Sequence, residues 1–365
     1  MKKYKNIICV TIVVLLFATL TVSCWALPKK EFSDSERRNL AQFPTLSLAT
    51  LLDGTFMSKF ESFTQDQFPL RDNFRTLKAF VQYFALSQLD NNGIYLKDGY
   101  AAKLEYPLDE DSIAHAASRF NFIYDTYLAG KDVNVYLSIV PDKSYYLAAQ
   151  NGYLCMDYER LFTEMREKMG FAEYIDITGT LDITDYYKTD THWRQEKLID
   201  TAAALASAMG IKLSGNYTTE TLDHPFYGVY YGQSALPLPS ETIYYLTNDI
   251  LAGCTVTNYE TGSISGIYNM ELATGKDPYN MFLSGSVPLL TIENPNAATD
   301  RELVIFRDSF GSSITPLLVE GYAKITLVDI RYLRTDLVGR FVDFTNQDVL
   351  FLYSTLVLNN SSTLT

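Results

Sequence analysis

The sequence predicts an α/β protein built on a mainly parallel sheet with helices on both faces, preceded by an N-terminal membrane anchor and a helical stalk. Three observations carry this expectation. From about residue 91 onward helical patterns alternate with short apolar strand patterns, as in a parallel sheet whose crossovers are helices. One apolar strand runs straight into Asp308-Ser309 and a Gly/Ser-rich helix start. The residues beyond the N-terminal apolar run, out of 365, suffice for one large α/β domain with insertions or for two ordinary domains.

In chain order, Lys2, Lys3 and Lys5 precede an almost unbroken apolar run over residues 7–27. A run of that length can cross a bilayer. It reaches Trp25 and Leu27 without a clean small-residue cleavage site, which favours an uncleaved anchor over residues 1–27. Basic residues stay on the cytoplasmic side, so everything after Pro28 is expected outside. The competing readings are a cleaved signal or a lipoprotein modified at Cys24, although Thr21 stands where a lipobox carries an aliphatic residue.

Residues 28–90 read as a helical stalk, because Leu51, Phe56, Phe60 and Phe63 recur at helical intervals. Pro69 breaks that pattern and a second helix is expected over 73–88. Asn91-Asn92-Gly93 is a turn opening a short hairpin over 94–105 and the main domain, 91–365. Strands are expected over 133–140, 172–177, 302–306, 323–328 and 349–353, and helices over 111–128, 157–169, 195–209 and 311–320. Residues 214–291 are Tyr-, Thr- and Gly-rich and read as an irregular or β-rich insertion, where specificity often resides.

The formal charge of −13 argues against nucleic acid and anionic lipid as partners. Only Cys155 and Cys254 lie beyond the apolar run, so the fold does not depend on a cysteine framework, with one disulfide at most. His115, His192 and His224 are far apart without metal-ligand spacing, and no metal or other cofactor is expected.

Nucleophilic acyl chemistry needs a nucleophile, a base to take its proton and a third group to fix the base's tautomer. Three segments offer such groups. In Tyr186-Tyr-Lys-Thr-Asp190-Thr-His192-Trp193, two side chains two residues apart project to one side of an extended chain. In Leu303-Val-Ile-Phe306-Arg307-Asp308-Ser309, the serine stands at the carboxyl end of a strand and the start of a helix, where open α/β folds bind ligands and helix N–H groups favour negative charge. In Tyr136-Leu-Ser-Ile-Val-Pro141-Asp142-Lys143, a second strand end places Lys143 on the same edge. Each has a plainer reading: Ser309 as a helix N-cap, Asp190 and His192 as loop chemistry, Lys143 as a surface ion pair.

Asp190-Thr-His192-Trp193 resembles the signature of the DHHW family of exported bacterial proteins and is similar to the D-x-H-W segment of the alginate O-acetylation proteins. The likeness extends over Glu31-Phe-Ser-Asp-Ser-Glu36-Arg37, Asp66-Gln-Phe-Pro-Leu-Arg71-Asp72, Asn91-Asn-Gly-Ile-Tyr95, Pro141-Asp-Lys143, His224-Pro-Phe-Tyr-Gly228, Asp308-Ser-Phe310 and Val328-Asp329-Ile-Arg331-Tyr332. The resemblance implies an SGNH-hydrolase-like fold in which Asp and His precede the serine. It makes Ser309 the nucleophile, His192 the base and Asp190 the orienting acid. Thr191 replaces the first histidine of the signature and Arg307 the glycine of Gly-Asp-Ser. Ser286, in Leu283-Ser-Gly285-Ser286, stands where the family tends to have an asparagine, the usual oxyanion donor. Ser286, Lys143 and Trp193 are the candidate substrate-binding or oxyanion residues.

The implied function is acyl-ester chemistry outside the cell on cell-surface or exopolysaccharide sugars, as O-acetyltransferase or acetylesterase. Transfer implies a membrane-embedded acyltransferase as acetyl donor. The alternative is a catalytically silent carbohydrate-binding or envelope-assembly protein, whose 27 Tyr and 21 Phe include rings that stack on sugars.

Overall fold

The computed structural model describes residues 2–33 and 35–365. The side chains of Lys2 and Lys3, invoked above for the anchor's orientation, and Asp34 of the first resemblance block lie outside the described residues. The chain forms two compact units: Met1–Asn92 with Tyr231–Pro237, and Gly93–Tyr230 with Leu238–Thr365.

The first unit opens with α1 (Lys2–Ala26), whose segment Tyr4–Ala26 is long and apolar enough to cross a membrane by length and composition. The stalk departs from the expected pattern at its start. Phe32–Ser33 pairs antiparallel with Arg38–Asn39, and helix begins only at Leu48–Leu52, capped by Ser47. Then follow α2 (Thr55–Asp66) and, after Pro69, α3 (Arg71–Phe80), which continues into the wide turn Val81–Ala85. Two of the resemblance blocks meet here in one ion-pair cluster. Glu36 faces Arg71 at 2.5 Å, Arg38 at 3.3 Å and Arg75 at 3.3 Å, and Asp66 takes Arg38 at 2.6 Å.

The second unit holds an eight-stranded sheet with helices on both faces. Its strands are β1 (Asn134–Val140), β2 (Glu173–Tyr174), β3 (Thr255–Asn258), β4 (Ile264–Ser265), β5 (Leu289–Glu293), β6 (Glu302–Arg307), β7 (Lys324–Val328) and β8 (Asp348–Ser354). Their order is β4-β3-β5-β7-β6-β8-β1-β2. The five strands from β7 to β2 are parallel. Side chains alternate between two cores along each strand: Leu303 and Ile305 enter one, Val304 and Phe306 the other. Helices cover both faces, α4 (Glu110–Ile123) and α5 (Tyr158–Lys168) lying on the second core, α6 (Ile199–Ala208) and α7 (Gly311–Leu318) on the first.

Within the segment 214–291, β3, β4 and the start of β5 extend the main sheet in antiparallel fashion. Short strands with Thr and Asn at alternate positions look like surface β-structure until their neighbours are known. The direction of β5 matters for the site. Leu289 pairs with Val328, so β5 begins at the edge where the parallel strands end and brings the preceding turn to that edge. The expected strand 172–177 contracts to β2, and Cys155 and Cys254 are free thiols.

Candidate active site

Parallel registers collect chemistry at one edge of the sheet. Arg307 pairs with Leu352, and Ser354 with Val140, so residues following β6, β8 and β1 emerge side by side. Asp308, fully buried, accepts the Phe310 N–H at 3.0 Å and the Ser354 N–H at 2.8 Å. One carboxylate thus shapes the turn carrying Ser309 and ties it to the end of β8.

Across from this turn lies the Asp190 loop. It is not extended, as its spacing suggests, but closes an Asx turn in which Asp190 Oδ1 accepts the His192 backbone N–H at 3.0 Å. The same oxygen lies 2.6 Å from His192 Nδ1, and Asp190 Oδ2 accepts the Val229 N–H at 2.8 Å. With Asp190 ionised, Nδ1 carries the imidazole proton, which leaves Nε2 to accept the Ser309 hydroxyl at 2.8 Å. Tyr279 stacks on the imidazole with ring centroids 3.9 Å apart and planes 10° from parallel, and Phe310 borders it at 5.0 Å. Ser309, His192 and Asp190 therefore form one hydrogen-bonded chain.

Several residues hold that loop, and most were not singled out by sequence. Glu241 accepts the N–H groups of Lys188 and Thr189 at 2.7 and 2.6 Å and the Thr189 hydroxyl at 2.6 Å. Gly228 lies against the Thr189–Asp190 backbone so closely that a Cβ there would stand 2.2 Å from the Thr189 carbonyl. Tyr279 and Glu241 lie in unremarkable local sequence, whereas Asp308 and Gly228 fall in resemblance blocks.

Lys143 and Trp193 are corrected from candidate substrate contacts to buried supports. Lys143 is 3% exposed and donates from Nζ to the carbonyls of Tyr187 at 2.9 Å and Lys188 at 3.2 Å, with the Tyr230 ring 4.8 Å away. The carbonyls of the His192 loop turn inward to meet its ammonium, which takes Lys143 away from the cleft. Trp193 is fully buried, its indole N–H shared between the Phe310 carbonyl at 3.1 Å and Ser313 Oγ at 2.9 Å. It fastens the loop to α7.

Burial brings the Lys143 ammonium down from 10.5 to about 7, against the opposing pull of Asp190, Glu241 and Asp142. Between those values the unfolded chain holds a proton that the folded chain has released, so stability rises with pH. The wild type is expected to gain on Lys143→Met by up to about 1.4 kcal/mol per pH unit across that window. Denaturation of both proteins over a pH series measures it, and a constant difference contradicts it.

Ser286 is exposed and follows three consecutive left-handed residues, Leu283, Ser284 and Gly285 at φ 50°, 60° and 75°. Such backbone is costly outside glycine and persists where its surroundings impose it. Here the Gly285 carbonyl accepts from Arg307 Nη2 at 2.9 Å and Ser312 Oγ at 3.3 Å. Arg307, fully buried, thus holds the turn against the first turn of α7, while burial pulls its guanidinium below its usual value against the attraction of Asp329. Asp329 is itself gripped by Arg331 at 2.6 and 2.9 Å. Among the described residues no group of three or more His, Cys, Asp or Glu could hold a metal ion.

No family model matches the chain, and no curated protein matches its sequence. Solved structures do. A DHHW family protein from Eubacterium siraeum superposes with a TM-score of 0.58 at 23% identity, over 75% of this chain and 95% of that one. PatB1 from Bacillus cereus superposes with a TM-score of 0.59 at 19% identity, over 73% and 96%. A second PatB1 structure, with a sulfonyl adduct, gives 0.57 at 20% identity, over 73% and 95%. The chain accordingly shares the fold of the Eubacterium siraeum DHHW family protein and of PatB1.

Proposed function

We propose that this chain is an acyl-ester enzyme of the DHHW type, anchored outside the cell by α1, that moves or removes acetyl groups on cell-surface or exopolysaccharide sugars. The observation that carries the reading is the unbroken chain from Asp190 through His192 to Ser309 at the carboxyl edge of a parallel sheet. In the first half-reaction the Ser309 proton passes to His192 Nε2 as Oγ attacks the ester carbonyl. The resulting oxyanion is met by the Ser309 backbone N–H, with Ser286 as a further donor, since the Phe310, Gly311 and Ser312 N–H groups already donate to Asp308 and Ser309. Collapse expels the donor alkoxide, which takes the proton from His192, and leaves acetyl-Ser309. In the second half-reaction an acceptor hydroxyl gives its proton to His192 and attacks the acetyl carbonyl, and Ser309 Oγ is expelled and takes that proton back from His192. A sugar acceptor makes this transfer and water makes it hydrolysis. Asp190 stabilises the imidazolium at each stage. For transfer, a membrane-embedded acyltransferase supplies the acetyl donor.

The test is direct. Full chain incubated with an activated acetyl ester and quenched in acid is expected to carry one acetyl group on the peptide containing Ser309. Pretreatment with phenylmethanesulfonyl fluoride, the chemistry suggested by the adduct of PatB1, should prevent it. A well-folded chain that takes no acetyl group, or takes it elsewhere, removes the reading.

A further inference from the structure

The helix α3 is turned inside out. At about 100° per residue, Phe74, Leu77 and Phe80 of α3 fall within an arc of about 120°, the width of a helix's usual core-facing stripe, and Leu70 before the helix and Val81 and Phe84 in the wide turn after it extend the apolar run. In this chain that stripe faces solvent, Leu70, Leu77 and Phe84 being 68%, 58% and 71% exposed. The opposite side is the one that packs. Ala79 is fully buried, and Arg71 and Arg75, each with only 17% of the side chain exposed, point at Glu36, Arg75 also donating to the Gly232 carbonyl at 2.7 Å. Charges are held inward by ion pairs and the apolar face is left bare.

We infer that this stripe lies in the outer interface of the same bilayer that α1 crosses, as an in-plane helix beside the anchor. The inference rests on the anchor reading above. Two observations select lipid as the occupant. First, α1 and the stripe belong to one compact unit, and α1 enters it without a linker: the Trp25 ring packs on Phe43, Phe60 and Phe63 at 6.1, 6.4 and 6.5 Å. An aromatic cluster at the exit of an apolar helix is characteristic of the headgroup level. Second, a further bare apolar surface adjoins that cluster: Leu48 and Leu52, 74% and 81% exposed, belong to the short helix in contact with α2, which carries Phe60 and Phe63. The consequence of an in-plane helix is that the unit rests on the membrane instead of extending from it on a free stalk.

The experiment uses the full chain, its native cysteines replaced by alanine, reconstituted in phosphatidylcholine nanodiscs carrying nitroxide-labelled lipid. An environment-sensitive fluorophore is placed in turn at Leu15→Cys in the anchor, Leu77→Cys and Phe84→Cys in the stripe, and Gln233→Cys, in the same unit beside the Gly232 carbonyl that meets Arg75 on the packed side of α3. Folding is checked by circular dichroism. Lipid nitroxide is expected to quench Leu15, Leu77 and Phe84 labels several-fold more than the Gln233 label. Quenching at Leu15 with stripe labels open to aqueous iodide overturns the inference and leaves the anchor intact. Stripe labels shielded from both quenchers also overturn it, in favour of a second copy of the chain. An unquenched Leu15 label sinks the anchor reading and this inference with it.

Discussion

Ser309→Ala and His192→Ala are each expected to lower turnover of an acetyl ester by roughly 10⁴-fold or more, and the double variant is expected to fall no further. The reason is geometric. Ser309 is a useful nucleophile only while His192 Nε2, 2.8 Å away, can take its proton, and His192 presents that nitrogen only while Asp190 holds Nδ1 at 2.6 Å. Removing one member leaves the others without a task. Steady-state kinetics on the three proteins, with melts to confirm folding, decide it. Losses that multiply in the double variant, or full activity in a folded His192→Ala protein, contradict the arrangement.

Gly228→Ala is expected to have the next largest effect, although Gly228 carries no reactive group. Its added methyl would stand 2.2 Å from the Thr189 carbonyl carbon and oxygen and 2.3 Å from the Asp190 nitrogen. Those are backbone atoms, and they cannot swing aside as the tip of a flexible side chain can. The loop must shift, and with it go the Val229 N–H on Asp190 Oδ2 at 2.8 Å and the Gly228 N–H that holds the neighbouring Thr189 at Oγ1, 3.0 Å away. Misplacing the group that orients the base costs on the order of 10²–10⁴ in turnover, and the displaced backbone costs roughly 2–4 kcal/mol of stability. The measurement is kcat and melting temperature of Gly228→Ala beside Asp190→Asn. A Gly228→Ala protein with wild-type kcat would show that the loop accommodates the methyl without moving Asp190.

The parts of this molecule that were legible in sequence are those written in local pattern. The strands β1, β6, β7 and β8 were visible because both faces of each are covered, so their residues are apolar nearly throughout. The helices α4 to α7 were visible through their spacing and caps. By contrast β5 escaped notice, since five residues inside a Tyr- and Thr-rich stretch carry no periodicity of their own. Only its pairing with β7 and β3 makes Leu289–Glu293 a strand. The stalk was legible as helix from Leu48 onward, but nothing local announced the strand pair before it.

The site divides in the same way. Asp190, His192 and Ser309 could be nominated from sequence because each sits in a short motif whose chemistry is intrinsic to the residues. That His192 and Ser309, 117 positions apart, share a hydrogen bond was decided by the tertiary structure. So were the roles of Lys143 and Trp193, which were nominated as ligand contacts and are interior supports. A lysine and a tryptophan are chemically as fit to meet a sugar as to hold a loop, and the choice depends on which backbone groups lie within reach. Tyr279 on the imidazole and Glu241 under the loop come from distant segments with no mark of their function. Sequence by itself determined the apolar N-terminal helix and the α/β class and nominated Asp190, His192 and Ser309, because those readings follow from side-chain type and near-neighbour spacing. Burial, hydrogen-bond partners and the outward turn of α3 were decided only on folding, because they are properties of pairs of residues that the chain brings together from afar.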